Sequence, residues 1–170
     1  MSNDDIPTAA SLSVGDTGPE LEFEDVDRKD IVKYAGASGD FNPIHYDEQF
    51  AGMAGYDDVF AQGMLTAGFA AQAVEHWFGI RAIDSFGVRF ESQVWPGDTV
   101  TAVATVVDVE ERGESATTGD ADEETVENAT GENTIEETAE TATVETAIEV
   151  TNEAGELVLS GEATASVSAE

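Results

Sequence analysis

Cysteine is absent from the 170 residues, and histidine occurs only twice, at His45 and His76. The first absence excludes disulfides, thiolate nucleophiles and cysteine-based metal sites. Basic residues are nearly as scarce: six Lys and Arg stand against 37 Asp and Glu, a formal net charge of −31. Such a chain repels nucleic acid and anionic lipid, so neither is an expected partner. No apolar run approaches 18 residues, which leaves no candidate for a membrane-spanning helix. The opening segment, "MSNDDIPTAASLSVGD", is acidic and lacks the apolar stretch of a signal peptide. The expectation is a cytoplasmic protein.

The acidic residues are spread along the chain, and Lys is rarer than Arg. Self-repulsion on this scale strains a folded state in dilute buffer. At molar salt the Debye length falls to about 3 Å and most of that repulsion is screened. The composition therefore reads as adaptation to a cytosol of concentrated potassium chloride, a halophile's. The alternative, a polyanion that binds basic partners, calls for charge gathered on one patch, whereas charge here is diffuse. Apolar residues make up 41% of the chain, enough for one domain with a full core.

Residues 1–12 read as a disordered tail and residues 13–170 as the domain. In "VGDTGPELEFED", Leu21 and Phe23 alternate with Glu20, Glu22 and Glu24, as in a strand. "DVDRKDIVKYAGASGD" predicts a short helix, with Asp27 as N-cap, Ile31 and Tyr34 on its apolar face and Gly39 at its end. "GMLTAGFAAQAVEHWFG" is the clearest helix: Leu65, Phe69, Ala73 and Trp77 recur every four residues, and Gly79 fits the stop. Its small residues lie on more than one face, which points to a buried central helix. Beyond it the period becomes two. "SFGVRFESQVWPGDTV" sets Val88 and Phe90 against Arg89 and Glu91, "PGD" makes a turn, and three β-rich segments follow. The last two are joined by a hairpin turn at "NEAGE". Residues 113–139, rich in Thr and Glu with few large apolar side chains, read as an acidic insertion. One strand, then helices, then an antiparallel meander of about four strands make an α+β domain, with the sheet wrapped around the central helix.

The loop "GDFNPIH" places Asp40 and His45 five residues apart. Taken alone, such a pair is more often a cap and a satisfied polar contact than a catalytic device. Pro43 fixes its own φ and disfavours helix at Asn42, so the segment between the two is restricted. Asp47 and Glu48 read as the start of the next helix, where acidic residues favour the dipole, and not as metal ligands. The glycines at 52, 55, 63 and 68 do not form a phosphate loop, because the strand–loop–helix context and a following Lys are missing.

The stretch "YAGASGDFNPIHYDEQFA" resembles the hydratase motif of the MaoC-like, (R)-specific enoyl-CoA hydratase family. "FAQGMLTAG" and "VRFESQVWPGDTV" are similar to that family's next two signature segments, in the same order. The resemblance implies a hot-dog fold and hydration of trans-2-enoyl-CoA to (R)-3-hydroxyacyl-CoA, in β-oxidation or in supply of polyhydroxyalkanoate synthesis. It implies a homodimer and neither metal nor redox cofactor. Asp40 and His45 become the catalytic pair, Asn42 and Pro43 the residues that position them, and the Gly63 backbone N–H an oxyanion donor. Gln62 stands where the family commonly has His. Gln62 and Arg89 are candidate substrate contacts; coenzyme A carries phosphates, and Arg89 and Arg81 are the cations available to meet them. His76 reads as structural or exposed, and not as catalytic. Two other readings stay open: a 3-hydroxyacyl-thioester dehydratase or thioesterase on the same scaffold, and a non-catalytic acyl-CoA-binding protein.

The expected chemistry follows from the residue types. Hydration of a conjugated thioester needs water at the β-carbon and a proton at the α-carbon. A carboxylate orients the water and takes its proton, and an imidazole shares it and returns one. Charge that develops on the thioester oxygen needs preorganised donors, and the start of the "QGMLTAG" helix has unpaired N–H groups and a positive dipole end.

Overall fold

The computed structural model describes residues 6–111 and 140–170. The acidic insertion expected at 113–139 lies outside them. Eight elements build the domain. Strand β1 (Leu21–Val26) leads to helices α1 (Arg28–Ser38), α2 (Glu48–Met53) and α3 (Gly63–Phe78), followed by β2 (Ile83–Phe90), β3 (Asp98–Glu111), β4 (Thr141–Asn152) and β5 (Leu157–Ser168). The five strands form one antiparallel sheet in the order β1-β3-β4-β5-β2. This is the hot-dog arrangement: the sheet curls around α3, which packs against all five strands. No helix among the described residues is long and apolar enough to cross a membrane.

The helix starts and stops follow local chemistry. The Asp27 side chain accepts the Asp30 N–H at 2.9 Å, and Gly39 closes α1 at φ 76°, a left-handed position that favours glycine. The Asp47 side chain caps α2 by accepting the Phe50 N–H at 3.0 Å. In α3 the buried face is Thr66, Ala67, Phe69, Ala70, Ala73, Val74 and Phe78. The expected stripe of Leu65, Phe69, Ala73 and Trp77 is thus off centre, since Leu65 and Trp77 are only partly buried. Alanines at the centre let the helix sit close to the sheet, so the period of the large residues marks the margins of the buried face.

Strict alternation fixes the sheet's inner face. Val100, Ala102, Ala104 and Val106 of β3 are buried, as are Ala142, Val144, Thr146, Ile148 and Val150 of β4. Each fully buried Val or Ile side chain contributes about 1.5–3 kcal/mol relative to exposure. The expected meander holds only for β3, β4 and β5. Strand β2 pairs with β5, from Ile83 opposite Ala165 to Phe90 opposite Leu159. The Pro96–Asp98 turn therefore does not close a hairpin; it passes the chain to the β1 side of the sheet. A sheet that encloses a helix needs the strand that follows α3 at its far edge.

Part of the segment expected as a tail over residues 1–12 is docked on the domain. Ala9–Ser11 form one 3-10 turn, Ala9 is buried, and the Ala10 N–H donates to the Ala169 carbonyl at 3.2 Å. One small apolar residue suffices to dock this segment on the end of β5, a signal too short for periodicity to reveal.

Candidate active site

The loop after α1 is held by three successive side chains. The Ser38 hydroxyl accepts the Asp40 N–H, the Asp40 Oδ1 accepts the Asn42 N–H, and the Asn42 Oδ1 accepts the Ile44 N–H, each at 3.2 Å. Each bond closes a turn two residues long, which is how Ser, Asp and Asn compete with helix. Asn42 is extended at φ −60°, ψ 122°, as the residue before a proline must be, and Pro43 opens a single 3-10 turn through His45.

His45 is buried, with its side chain 9% exposed, while the Asp40 side chain is 46% exposed. The imidazole Nδ1 lies 2.8 Å from the Phe60 carbonyl oxygen. A carbonyl only accepts, so Nδ1 carries the proton and Nε2 presents its lone pair in the neutral ring. Nε2 faces Asp40 Oδ2 at 3.7 Å. That is too long for a hydrogen bond and short enough for one water oxygen to reach both. Asp40 Oδ1 is held by Asn42, which leaves Oδ2 as its working oxygen.

Phe60 is the residue that sequence reasoning missed. Its carbonyl sets the tautomer, and its ring meets the His45 ring edge-on at 5.3 Å. Tyr56 and Trp95 in turn pack on Phe60 at 4.8 and 5.8 Å. The role rests on a main-chain oxygen, and no side-chain pattern announces one. Arg28 was missed as well. It binds Glu48, and it reaches both oxygens of Asp58 at 2.7 and 2.8 Å, which ties the start of α1 to α2 and to the segment before α3. Glu48 foremost, then Asp58, raises the Arg28 pKa above its already high value.

The Phe60 segment runs directly into α3. The Ala61 N–H donates to the Val94 carbonyl at 2.9 Å, and α3 begins at Gly63. Among the described residues, no protein acceptor is found for the Gly63 and Met64 N–H groups. A Cβ at Gly63 would stand 3.1 Å from the Phe90 ring, so glycine is what lets Phe90 lie over this helix end.

Gln62 and Arg89 are placed differently from the substrate contacts expected of them. Gln62 is 1% exposed and its amide nitrogen donates to the Ile31 carbonyl of α1 at 3.2 Å. It ties α1 to the start of α3, and its oxygen has no protein partner. Arg89 alternates with Val88 and Phe90. Val88 packs on the core and Phe90 on Gly63, so Arg89 stands on the other face of β2, beside Ser160 and Glu162. His76 is exposed near the end of α3, remote in sequence from the pair. Among the described residues no three His, Asp or Glu side chains gather as a metal-binding group.

Comparison with known proteins identifies the domain. Residues 13–129 match the family described as MaoC like domain. The peroxisomal multifunctional enzyme type 2 of Mus musculus is 32% identical over 94 residues, 54% of this chain and 13% of that protein. The (R)-specific enoyl-CoA hydratase of Rhodospirillum rubrum is 37% identical over 83 residues, 48% of this chain and 58% of that protein. The chain thus spans less than two thirds of either relative's length. The unliganded R-hydratase of Pseudomonas aeruginosa shares the fold at a TM-score of 0.67 and 22% identity, over 96% of this chain and 86% of that one. With its matched segment, its sheet order and its central helix, the chain belongs to the MaoC-like domain family.

Proposed function

We propose that the protein is an (R)-specific enoyl-CoA hydratase, a hydro-lyase that adds water to trans-2-enoyl-CoA. The observation that carries this reading is the Asp40 Oδ2 to His45 Nε2 spacing of 3.7 Å, with Nδ1 committed to Phe60. One water held by both groups attacks C3 of the enoyl thioester. Its proton passes to the Asp40–His45 pair, and the pair returns one proton to C2 on the same face. The sum is syn addition of one water, with no net change in the protein. Negative charge that gathers on the thioester oxygen is met by the Gly63 N–H and the dipole of α3. By microscopic reversibility the same groups dehydrate a (R)-3-hydroxyacyl thioester, so the direction of flux follows supply and demand in β-oxidation or polymer storage.

The substrate brings its own reactivity, and the reading calls on neither metal nor redox cofactor. The assembly is a homodimer on this reading. Among the described residues strand β2 has a partner on one side only, and it carries the exposed rings of Phe86 and Phe90, which favours pairing with a second copy. The protein works in a cytoplasm of concentrated potassium chloride.

The test is loss of enoyl absorbance with crotonyl-CoA in molar KCl, with the product oxidised by an R-specific dehydrogenase. No loss of absorbance, or product of the opposite hand, overturns the reading. Light scattering during size exclusion measures the dimer; a monomer at micromolar concentration removes it. A melting temperature equal in dilute buffer and in molar KCl removes the salt adaptation.

A further inference from the structure

The Phe60 carbonyl that fixes the His45 proton lies in a segment with no regular structure of its own. Residues 54–62, between α2 and α3, form neither helix nor strand. No helix or sheet ladder therefore sets the direction of this carbonyl. Burial of Val59 anchors the segment, yet apolar burial is non-directional and leaves the neighbouring peptide planes free to turn. Direction comes from hydrogen bonds on either side. Downstream, the Ala61 N–H shares a planar peptide with the Phe60 carbonyl, and the two point in opposite directions. The N–H donates to the Val94 carbonyl at 2.9 Å while the Phe60 oxygen meets His45 Nδ1 at 2.8 Å. Upstream, the Val59 N–H donates to Asp58 Oδ1 at 2.7 Å.

Asp58 is held in turn by Arg28. One terminal nitrogen, Nη2, donates to both Asp58 oxygens at 2.7 and 2.8 Å, and the other, Nη1, donates to Glu48. Local chemistry does not account for this arginine. It is the first residue of α1, where the helix dipole disfavours a cation, and it is one of only six basic residues in the chain. Stability does not account for it either. The Arg28 side chain is 47% exposed and that of Asp58 39%, and exposed pairs contribute little, least of all in salt. What a guanidinium offers is direction. Its N–H bonds lie in one rigid plane, so a carboxylate on it is oriented as well as attracted.

We infer that Arg28 is a positioning residue for the reaction: it orients Asp58, Asp58 orients the Val59–Phe60 backbone, and the Phe60 carbonyl keeps the His45 proton on Nδ1, so that Nε2 can take one from water. The catalytic consequence rests on the hydratase reading above; the placement of the proton does not. Without the guanidinium, the Asp58 carboxylate turns to solvent and the Val59 N–H loses its acceptor. The Phe60 carbonyl then tilts away from Nδ1. The ring becomes able to carry its proton on Nε2, the nitrogen that has to accept. Glu48 stands outside this relay, since it receives the other nitrogen and ties α1 to α2.

Nitrogen NMR of the histidine rings tests the relay without substrate. The chain has two histidines, and His76, exposed on α3, is the internal reference. In molar KCl at alkaline pH, with both rings neutral, unaltered His45 is expected as the Nδ1–H tautomer. Arg28→Met and Asp58→Asn should each convert it to a mixture of both tautomers, with the His76 signals unmoved. Glu48→Gln also removes one ion pair from Arg28, and it should leave His45 as it was. Arg28→Lys keeps the charge and loses the planar fork; it should give a smaller admixture, and it covers the event that Arg28→Met fails to fold. With crotonyl-CoA, the kcat of Arg28→Met should fall by about 10- to 100-fold with KM within about twofold, as for a loss confined to the transition state. A His45 that stays wholly in the Nδ1–H form in the folded Arg28 and Asp58 variants, or that shifts equally in Glu48→Gln, overturns the proposal and leaves Arg28 a tie between helices. Failure of the unaltered protein to hydrate crotonyl-CoA removes the hydratase reading, and the ring signals still decide the relay.

Discussion

The start of α1 and the start of α3 are built from the same backbone and used in opposite ways. At α1, Asp27 accepts a first-turn N–H and Asp30 adds a second carboxylate. At α3, Gln62 occupies the cap position, makes no side-chain cap bond, and has no acidic residue in the turn that follows. Its amide points instead at the Ile31 carbonyl. In a chain with 37 Asp and Glu, one helix N-terminus is kept clear of carboxylate. Unpaired N–H groups stabilise a helix when a cap takes them and stabilise developing negative charge when none does. The same donors cannot serve both ends.

That contrast is open to direct attack. The largest effect belongs to the Asp40–His45 pair. Asp40→Asn and His45→Gln should each lower turnover by roughly 10²–10⁴ with the fold intact by circular dichroism. Wild-type turnover in either variant rejects the acid–base assignment. Next, Gln62→Asp gives α3 the cap it lacks and sets a carboxylate against the enolate. Turnover should fall by about 10²-fold, and a variant as fast as the parent would mean that the α3 donors play no part. The mirror experiment is Asp27→Ala. Stability should drop by about 1 kcal/mol in urea titration while turnover stays within twofold. A large loss of turnover there would erase the distinction between the two ends.

The smallest effect concerns Asp30 and Lys33. The Lys33 ammonium holds the Asp30 carboxyl below its ordinary value, and Asp30 holds Lys33 above its own. The pair's contribution is complete between the two unfolded values. It is lost as pH falls through the depressed Asp30 value, and again as pH rises through the raised Lys33 value. Both side chains are largely exposed, so molar salt screens them. Lys33→Met should therefore move the melting temperature measurably only in dilute buffer, and only between those limits.

Much of this was legible in the sequence, for identifiable reasons. The caps at Asp27 and Gly39, the long alternation of β3 and β4 and the turn at Asn152–Glu156 are local, and local chemistry decides them. The loop from Asp40 to His45 was legible because its hydrogen bonds join residues two apart. What escaped were relations across the chain. The partner of β2, the face given to Arg89, the burial of Gln62 against Ile31 and the hold of Phe60 on His45 each depend on an element far away in sequence. A residue type says what it can bond, and only the packed fold says what is within reach.

The strand order also bears on how the molecule assembles. Among the described residues β4 and β5 meet through a tight turn, while the edge pairings join Leu21 to Ala102 and Ile83 to Ala165. Pairings so distant must close large loops before they gain anything, so chains rich in them fold slowly. The β4–β5 hairpin is the expected nucleus, and the edge strands β1 and β2, with the helices between them, are expected to dock last. In a refolding experiment, ellipticity is therefore expected to recover ahead of catalysis. A cell that makes this protein exposes its aromatic edge strands for as long as that interval lasts.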